Sequence, residues 1–183
     1  MDKQQASELF HRMHPGFFER EYIKSLPEDE IYEEMLLPLD GFDGAGYDKA
    51  FDGSVSFGFF EGDREELLRA VGEVEDGWVK YYTEGSRAYC GYIDGRVASF
   101  CLIEDMGRHE VAGRVLRIGG PGCVGTLPCF RHRGIGLVTV KRATQILKDE
   151  GFDLSYIHYT AVAPWYARLG YETLLRWSGR GIL

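Results

Sequence analysis

The stretch from Val115 to Glu150 constrains this chain more than any other, because it reads as a strand, a sharp turn and then a long helix. The turn contains Arg131-His132-Arg133-Gly134-Ile135-Gly136, which fits the pattern R-x-x-G-x-G. Glycine at 134 and 136 lets a ligand approach the backbone closely. The first N–H groups of a helix have no partner within the helix and carry partial positive charge. The stretch therefore predicts a phosphate or pyrophosphate site, assisted by Arg131 and Arg133.

Two flanking blocks give this loop a recognisable context. Val124-Gly125-Thr126-Leu127-Pro128 comes just before it, and Trp165-Tyr166-Ala167-Arg168-Leu169-Gly170-Tyr171 begins 29 residues after Gly136. In this order the blocks resemble the acyl-CoA-binding motif and the later Y-x-x-L-G-[F/Y] segment of the GNAT superfamily of N-acyltransferases. The resemblance covers roughly residues 55 to 177. It implies an α/β fold with a central mixed β-sheet flanked by helices.

The same resemblance implies acetyl-CoA as the co-substrate and assigns its contacts. The loop would hold the pyrophosphate, the strand before it would bind the pantetheine arm through its backbone, and a backbone N–H near Val124 would polarise the thioester carbonyl. The residues implied to bind the co-substrate are Val124, Gly125, Thr126, Arg131, His132, Arg133, Gly134, Ile135 and Gly136.

A rival motif overlaps this stretch. Gly120-Pro121-Gly122-Cys123-Val124-Gly125 formally matches the dinucleotide fingerprint G-x-G-x-x-G. That fingerprint requires a helix at its last glycine and an acidic residue about 20 positions further on. Thr126-Leu127-Pro128 follows instead, and Gln145 occupies the later position. A nucleotide-binding protein is therefore the least favoured hypothesis.

Composition and charge narrow the remaining classes. The chain has 183 residues, 44% hydrophobic and 14% aromatic, which suits one domain with a substantial core. Residues 1–86 carry 21 acidic and 8 basic side chains, and residues 87–183 carry 8 acidic and 13 basic ones, so the net charge is −8. The acidic half disfavours nucleic-acid binding, whereas the basic half suits a polyanionic ligand.

Location and metal content are predicted from what the sequence lacks. The chain has no run of about 18 apolar residues and no signal-peptide core at its polar N-terminus, so a cytoplasmic protein without a membrane partner is expected. Its four cysteines show no C-x-x-C spacing, which predicts reduced thiols and no bound metal. A homodimer is compatible with the sequence.

The first 53 residues are predicted to form a helical N-terminal extension that packs on an acyltransferase domain at residues 54–183. Phe10, Met13 and Phe17 recur near the helical period, and Pro27 precedes a predicted helix containing Ile31, Met35 and Leu36 that Pro38 ends. From residue 55 the predicted order is β-α-α-β-β-β-α-β-α-β, with a hairpin turn at Asp94-Gly95. The extension is expected to shape the acceptor pocket.

Catalytic residues are assigned partly by the resemblance. Tyr166 matches the family's general-acid tyrosine, and its alternative interpretation is a core tyrosine. Residues 115–124 contain no Asp or Glu, although many relatives carry a carboxylate there. Glu104 and His158 are therefore the candidate general bases, with Asp105 and His109 as further nearby groups.

These observations together predict an N-acetyltransferase that transfers an acetyl group from acetyl-CoA to a primary amine. The amine would attack directly and form a tetrahedral intermediate. A catalytically idle acyl-CoA-binding module is the alternative. The acceptor stays open among small amines, antibiotics, peptide N-termini and lysine side chains.

Overall fold

A computed structural model describes residues 1–47 and 49–183 of the chain. The described residues form five α-helices and eight strands. The helices are α1 (Lys3–Met13), α2 (Glu21–Lys24), α3 (Arg64–Val74), α4 (Ile135–Asp149) and α5 (Ala163–Ala167). The strands are β1 (Tyr32–Pro38), β2 (Val55–Phe59), β3 (Ala88–Ile93), β4 (Arg96–Val111), β5 (Arg114–Thr126), β6 (Leu154–Thr160), β7 (Glu172–Ser178) and β8 (Gly181–Ile182).

The strands form one mixed sheet in the order β2-β3-β4-β5-β6-β1-β7-β8. Neighbouring strands are antiparallel except β5 and β6, which are parallel and are connected through α4. The predicted α/β fold with a central mixed sheet is confirmed. The Asp94-Gly95 hairpin is also confirmed, since both residues have positive φ, 49° and 76°.

Helices cover both faces of this sheet. Met35 and Leu37 pack in the core cluster that contains Leu137, Val140 and Leu147 of α4. Leu36, between them on β1, packs in the cluster that contains Leu9 of α1. Because successive side chains of a strand point to opposite faces, α1 and α4 lie on opposite sides of the sheet.

The predicted helix from residue 28 to Pro38 is wrong. Residues 32–38 form β1, which lies inside the sheet and pairs antiparallel with both β6 and β7. Ile31, Met35 and Leu36 matched the helical spacing by coincidence, whereas Met35, Leu37 and Leu39 are buried at a spacing of two. Residues 1–53 are therefore only partly helical. Their division from residues 54–183 as a separate unit stays a prediction.

Two features of β5 position the functional site. β5 and β6 pair in register at Ile118–Leu154 and Gly119–Ser155, and both strands then continue, to Thr126 and Thr160. Phe100 of β4 pairs with Gly125 and Leu102 pairs with Gly122, so Cys123 and Val124 lie opposite Cys101 alone. This is a β-bulge, and Cys123 has the positive φ of 46° that such a bulge allows.

No helix among the described residues is long and apolar enough to cross a membrane.

Candidate active site

A cavity of about 700 Å³ lies over the start of α4 and the end of β5. All the residues predicted to bind the co-substrate line it except Arg133. They come from three places: the bulged end of β5, the loop after it and the first turn of α4. The lining residues from the predicted set are Val124, Gly125, Thr126, Arg131, His132, Gly134, Ile135 and Gly136.

Glycine is required at two positions of the loop, one because of its backbone conformation and the other because a side chain would not fit. Gly134 begins α4 with φ of 82°, a conformation in which a side chain is strained. A Cβ at Gly136 would overlap the hydroxyl oxygen of Thr126. Glycine at both positions therefore avoids strain and overlap at the start of α4, where the first N–H groups of the helix have no partner within it.

The two arginines of the loop differ in their surroundings. Arg131 donates from Nε to the backbone oxygen of Thr126 at 3.1 Å, which ties the loop to the end of β5 and leaves its terminal nitrogens for a ligand. Arg133 lies over the ring of Phe130, 5.6 Å from its centre, and is not among the lining residues. The expected contribution of Arg133 to this cavity is therefore not seen in the structure.

Sequence reasoning missed a contribution from the turn-rich connector before β2. Tyr47 and Lys49 line the same cavity. The ammonium nitrogen of Lys49 lies 3.0 Å from the position that a Cβ at Gly134 would take. Tyr47 accepts a hydrogen bond from Arg168 at 3.2 Å. A lysine within a glycine-rich connector carries no local signal of this role, because the contact depends on how the connector crosses α4.

A second cavity, of about 750 Å³, lies on the other side of the bulge. Its lining is mixed, with exposed aromatic rings, three carboxylates and several basic groups. Its members include Tyr22, Trp78, Tyr81, Glu75, Glu104, Asp105, Arg20, Lys80, His14, Cys123 and His158.

The two cavities meet at one peptide bond. Cys123 lines the second cavity and Val124 lines the first. Consecutive Cα atoms are about 3.8 Å apart, so the linings of the two cavities adjoin at this peptide.

Tyr82 holds this peptide in place. The Tyr82 side chain is 1% exposed and donates its hydroxyl to the backbone oxygen of Cys123 at 2.8 Å. Burial raises the pKa of the Tyr82 phenol, so the group stays a donor. Since the C=O and N–H of a trans peptide point in opposite directions, this bond turns the N–H of Val124 away from Tyr82.

Both candidate bases line the second cavity. The Glu104 carboxylate fills the space above Gly122, where a Cβ would overlap it. Burial raises the pKa of Glu104, and the nearby His158 opposes this shift. His158 contacts the side chain of Glu34 from Nδ1 at 2.9 Å. Glu34, a residue that sequence reasoning did not single out, is completely buried in β1.

Tyr166 lies on α5 and lines the first cavity. Its side chain is almost fully buried, and its ring contacts that of Trp165 edge-to-face at 4.8 Å. Burial raises the pKa of the Tyr166 phenol, with a smaller contribution from Tyr171, so the hydroxyl is protonated at neutral pH. The structure brings Tyr166 to the loop cavity, whereas Glu104 and His158 lie in the other one.

The nucleotide-binding interpretation of Gly120–Gly125 disagrees with the structure. These residues belong to β5, and the next α-helix begins ten residues later, at Ile135. A dinucleotide fingerprint needs its last glycine at the start of the helix.

Comparison with known proteins places this architecture in a fold class. No family model and no curated protein matches the chain. Several solved structures do. One contains the GCN5-related glucosamine N-acetyltransferase region of a fungal multi-domain GH3 beta-N-acetylglucosaminidase (TM-score 0.66, 22% identity, 81% of this chain and 20% of that chain). A GCN5-related N-acetyltransferase from Sphaerobacter thermophilus matches with a TM-score of 0.61 and 18% identity, over 84% of this chain and 51% of that chain. Another, from Kribbella flavida, matches with a TM-score of 0.57 and 18% identity, over 88% of this chain and 62% of that chain.

The chain thus has the fold of the GCN5-related N-acetyltransferases, as the motifs in its sequence indicated. It spans less than two thirds of the length of each of these three chains.

Proposed function

We propose that the protein is an N-acetyltransferase that transfers an acetyl group from acetyl-CoA to a primary amine. The observation that carries the proposal is the junction of two cavities at the Cys123–Val124 peptide. One cavity offers an anion site at a helix N-terminus, and the other offers candidate bases. Transfer between two bound substrates requires such a meeting point, because a direct attack needs the reacting atoms about 3–3.5 Å apart.

The co-substrate would lie along the first cavity. Its pyrophosphate would bind the N–H groups that follow Gly134, with Arg131 and Lys49 supplying positive charge. The pantetheine arm would run along Val124, Gly125 and Thr126. The two loop glycines support this fit, since a Cβ at either one would meet another side chain and crowd the backbone where the pyrophosphate is expected.

The acetyl group would then lie at the bulge. The amine nitrogen attacks the thioester carbon and forms a C–N bond, and the negative charge that develops on the carbonyl oxygen is stabilised by the N–H of Val124. The C–S bond breaks as the intermediate collapses. The thiolate takes a proton from the Tyr166 hydroxyl, and a base in the second cavity takes the proton released by the amine.

The test is a thiol-release assay with a panel of primary amines, run alongside binding of CoA and of NAD. We expect CoA binding without NAD binding, and amine-dependent thiol release with at least one acceptor. CoA binding without release for every amine would favour the idle acyl-CoA-binding module. NAD binding without CoA binding would contradict both the N-acetyltransferase and the idle acyl-CoA-binding module.

A further inference from the structure

A completely buried carboxylate lies behind the second cavity. Glu34 is 0% exposed on β1, between β6 and β7. Its Oε1 accepts hydrogen bonds from Trp177 Nε1 at 2.7 Å and from the backbone N–H of Tyr159 at 3.1 Å. His158 Nδ1 lies 2.9 Å from Oε2. A buried charge is retained only when its hydrogen bonds are satisfied, and here both oxygens have partners.

This arrangement decides which nitrogen of His158 faces the cavity. An ionised carboxylate only accepts hydrogen bonds, so Nδ1 of His158 carries the hydrogen that Glu34 binds. In the neutral ring the other nitrogen, Nε2, then has a free lone pair. The His158 side chain is 27% exposed and lines the cavity, which makes Nε2 the nitrogen available to a bound amine.

We propose that His158 is the general base of the transfer and that Glu34 is the residue that positions it; this rests on the proposed N-acetyltransferase function. The proton that leaves the attacking amine goes to Nε2 of His158. The imidazolium formed is paired with Glu34, so proton uptake converts a buried negative charge into a neutral ion pair. Glu104 lines the same cavity, and burial raises its pKa, so a carboxylate there is the competing base that the experiment has to distinguish from His158.

A second histidine completes the cluster. His14 of the α1 C-terminus stacks on His158 with ring centres 3.9 Å apart and planes 13° apart. Burial, followed by the charges of His158, Arg20 and His109, lowers the pKa of His14 to about 3. His14 therefore stays neutral and holds the His158 ring without competing for its proton. Glu34 on β1, His14 after α1, Glu104 on β4 and Tyr159 on its own strand act on His158 directly. Arg20 and His109 act on His14, and Tyr156 acts on Glu34.

A metal ion is a poorer occupant of this cluster, although His14, Glu34 and His158 offer ligand atoms within 4.8 Å of one another. The lone pair of an imidazole nitrogen lies in the plane of its ring. Two rings stacked nearly parallel at 3.9 Å direct their lone pairs into separate planes, so an ion in line with one is out of line with the other. The geometry favours proton transfer.

The experiment compares four glutamine substitutions for kcat, KM and the pH profile of kcat/KM with an amine that the thiol-release panel identifies. H158Q should lower kcat by about 10²–10⁴-fold with CoA binding unchanged. E34Q should lower kcat by at least about tenfold and move the midpoint of the acid limb to lower pH, because the imidazolium loses its anion. E104Q should change kcat by less than about tenfold. E33Q, next to Glu34 on β1 and beside Arg176, is the matched control and should change neither.

Two further measurements distinguish a catalytic His158 from a structural one. Imidazole-nitrogen NMR of the wild-type protein should find His158 with hydrogen on Nδ1 at neutral pH. Added imidazole should restore part of the activity of H158A, which a purely structural histidine would not allow.

The outcomes separate the two proposals. An active wild-type enzyme with near-normal kcat in H158Q, or an acid limb that E34Q leaves unmoved, overturns the inference alone. Hydrogen on Nε2 of His158 also overturns it. A wild-type protein that binds no CoA and releases no thiol overturns the proposed function, and the inference with it.

Discussion

At the scale of single residues, the proposed function depends on groups whose protonation state is set by burial. Tyr82, Tyr166 and His14 are each kept neutral because a charged form would lose its hydration in the protein interior. Neutral phenols remain hydrogen-bond donors, and a neutral imidazole adds no charge beside His158. The role of each residue can therefore be tested by substitution with phenylalanine, which removes the hydroxyl or the imidazole and keeps an aromatic ring.

Tyr166→Phe tests the general acid. The substitution removes one oxygen from a side chain packed against Trp165 and Tyr171, so we expect the fold and CoA affinity to survive. We expect kcat to fall by about 10²–10⁴-fold, the usual worth of general acid catalysis. An acyl donor with a more acidic thiol should partly restore the rate. Steady-state kinetics and melting temperature on one preparation check this, and a near-normal kcat would remove Tyr166 from the mechanism.

Tyr82→Phe tests the orientation of the bulge peptide. Loss of the bond to the Cys123 oxygen should let the Val124 N–H drift from the thioester oxygen, and a misplaced donor costs part of the roughly 10²–10³-fold that such donors supply. We expect a drop of about tenfold in kcat and little change in CoA affinity. Tyr171→Phe is the control, since it removes a buried hydroxyl that bonds Thr144 and Ser155 in the core. Equal losses of kcat in both variants would contradict this role.

His14 predicts a pH dependence of stability. Unfolded histidine takes up a proton near pH 6.5, whereas folded His14 does so only at about 3. Between these values the unfolded state binds more protons, so the free energy of unfolding falls as the pH falls, by at most about 1.4 kcal/mol per pH unit from this group. Urea unfolding of wild type and His14→Phe from pH 7 to pH 4 checks this. Parallel curves for the two proteins would contradict the assignment.

At the scale of elements, the start of α4 and the end of β5 together line the cavity in which we propose that the anion binds. Gly134 supplies the left-handed backbone there, and Gly136 supplies the space next to Thr126. A helix of 15 residues presents its unpaired N–H groups at this point. Local sequence is sufficient to build such a site, because the loop and the helix are contiguous.

Gly134→Asp tests the anion site. The change adds a strained side chain and a negative charge where an anion is expected to bind, so CoA affinity should fall by on the order of 100-fold or more. Gly151→Ala is the matched control at the other end of α4. It has a comparable φ of 76° with open space around the new Cβ, and so carries the backbone strain alone. Calorimetric titration with CoA checks both, and unchanged affinity in a folded Gly134→Asp protein would contradict the assignment.

At the scale of the whole molecule, β1 joins the N-terminal region to the rest. Its residues Met35 and Leu37 pack in the core cluster under α4. Its residue Glu34 contacts the side chain of His158. The strands on either side of it, β6 and β7, would lose their shared neighbour without it. The N-terminal region therefore contributes to the central sheet and supplies the buried partner of His158.

Two truncations test this. A chain beginning near Asp52 lacks β1 and should fail to fold, because β6 and β7 are left with unpaired edges and the core loses several large side chains. A chain beginning at Pro27 keeps β1 but lacks α1 and α2. It should fold with a lower melting temperature and retain CoA binding. Circular dichroism and CoA titration check both, and a stable, cooperatively folded chain from Asp52 would show that residues 1–53 are a separate unit.

Most elements from β2 to β7 could be predicted from sequence because each carries a local signal, although the second helix predicted before β3 is a 3-10 helix at Asp76–Tyr81. Asp94-Gly95 marks a hairpin, and the glycines of the loop mark the start of α4. β1 could not, since its apolar residues satisfy a helical and a strand spacing over a length too short to separate them. β8 is only two residues long and has no pattern of its own.

The sequence by itself determined the glycine loop before α4, the α/β class and Tyr166 as a candidate acid, because these depend on spacings within contiguous segments. Only the tertiary structure decided that β1 is central, that Cys123 and Val124 line opposite cavities, and that Glu34 lies behind His158. Glu34 and His158 are 124 residues apart. Nothing in the local pattern of either residue specifies the other, since their contact depends on which strands become neighbours in the sheet.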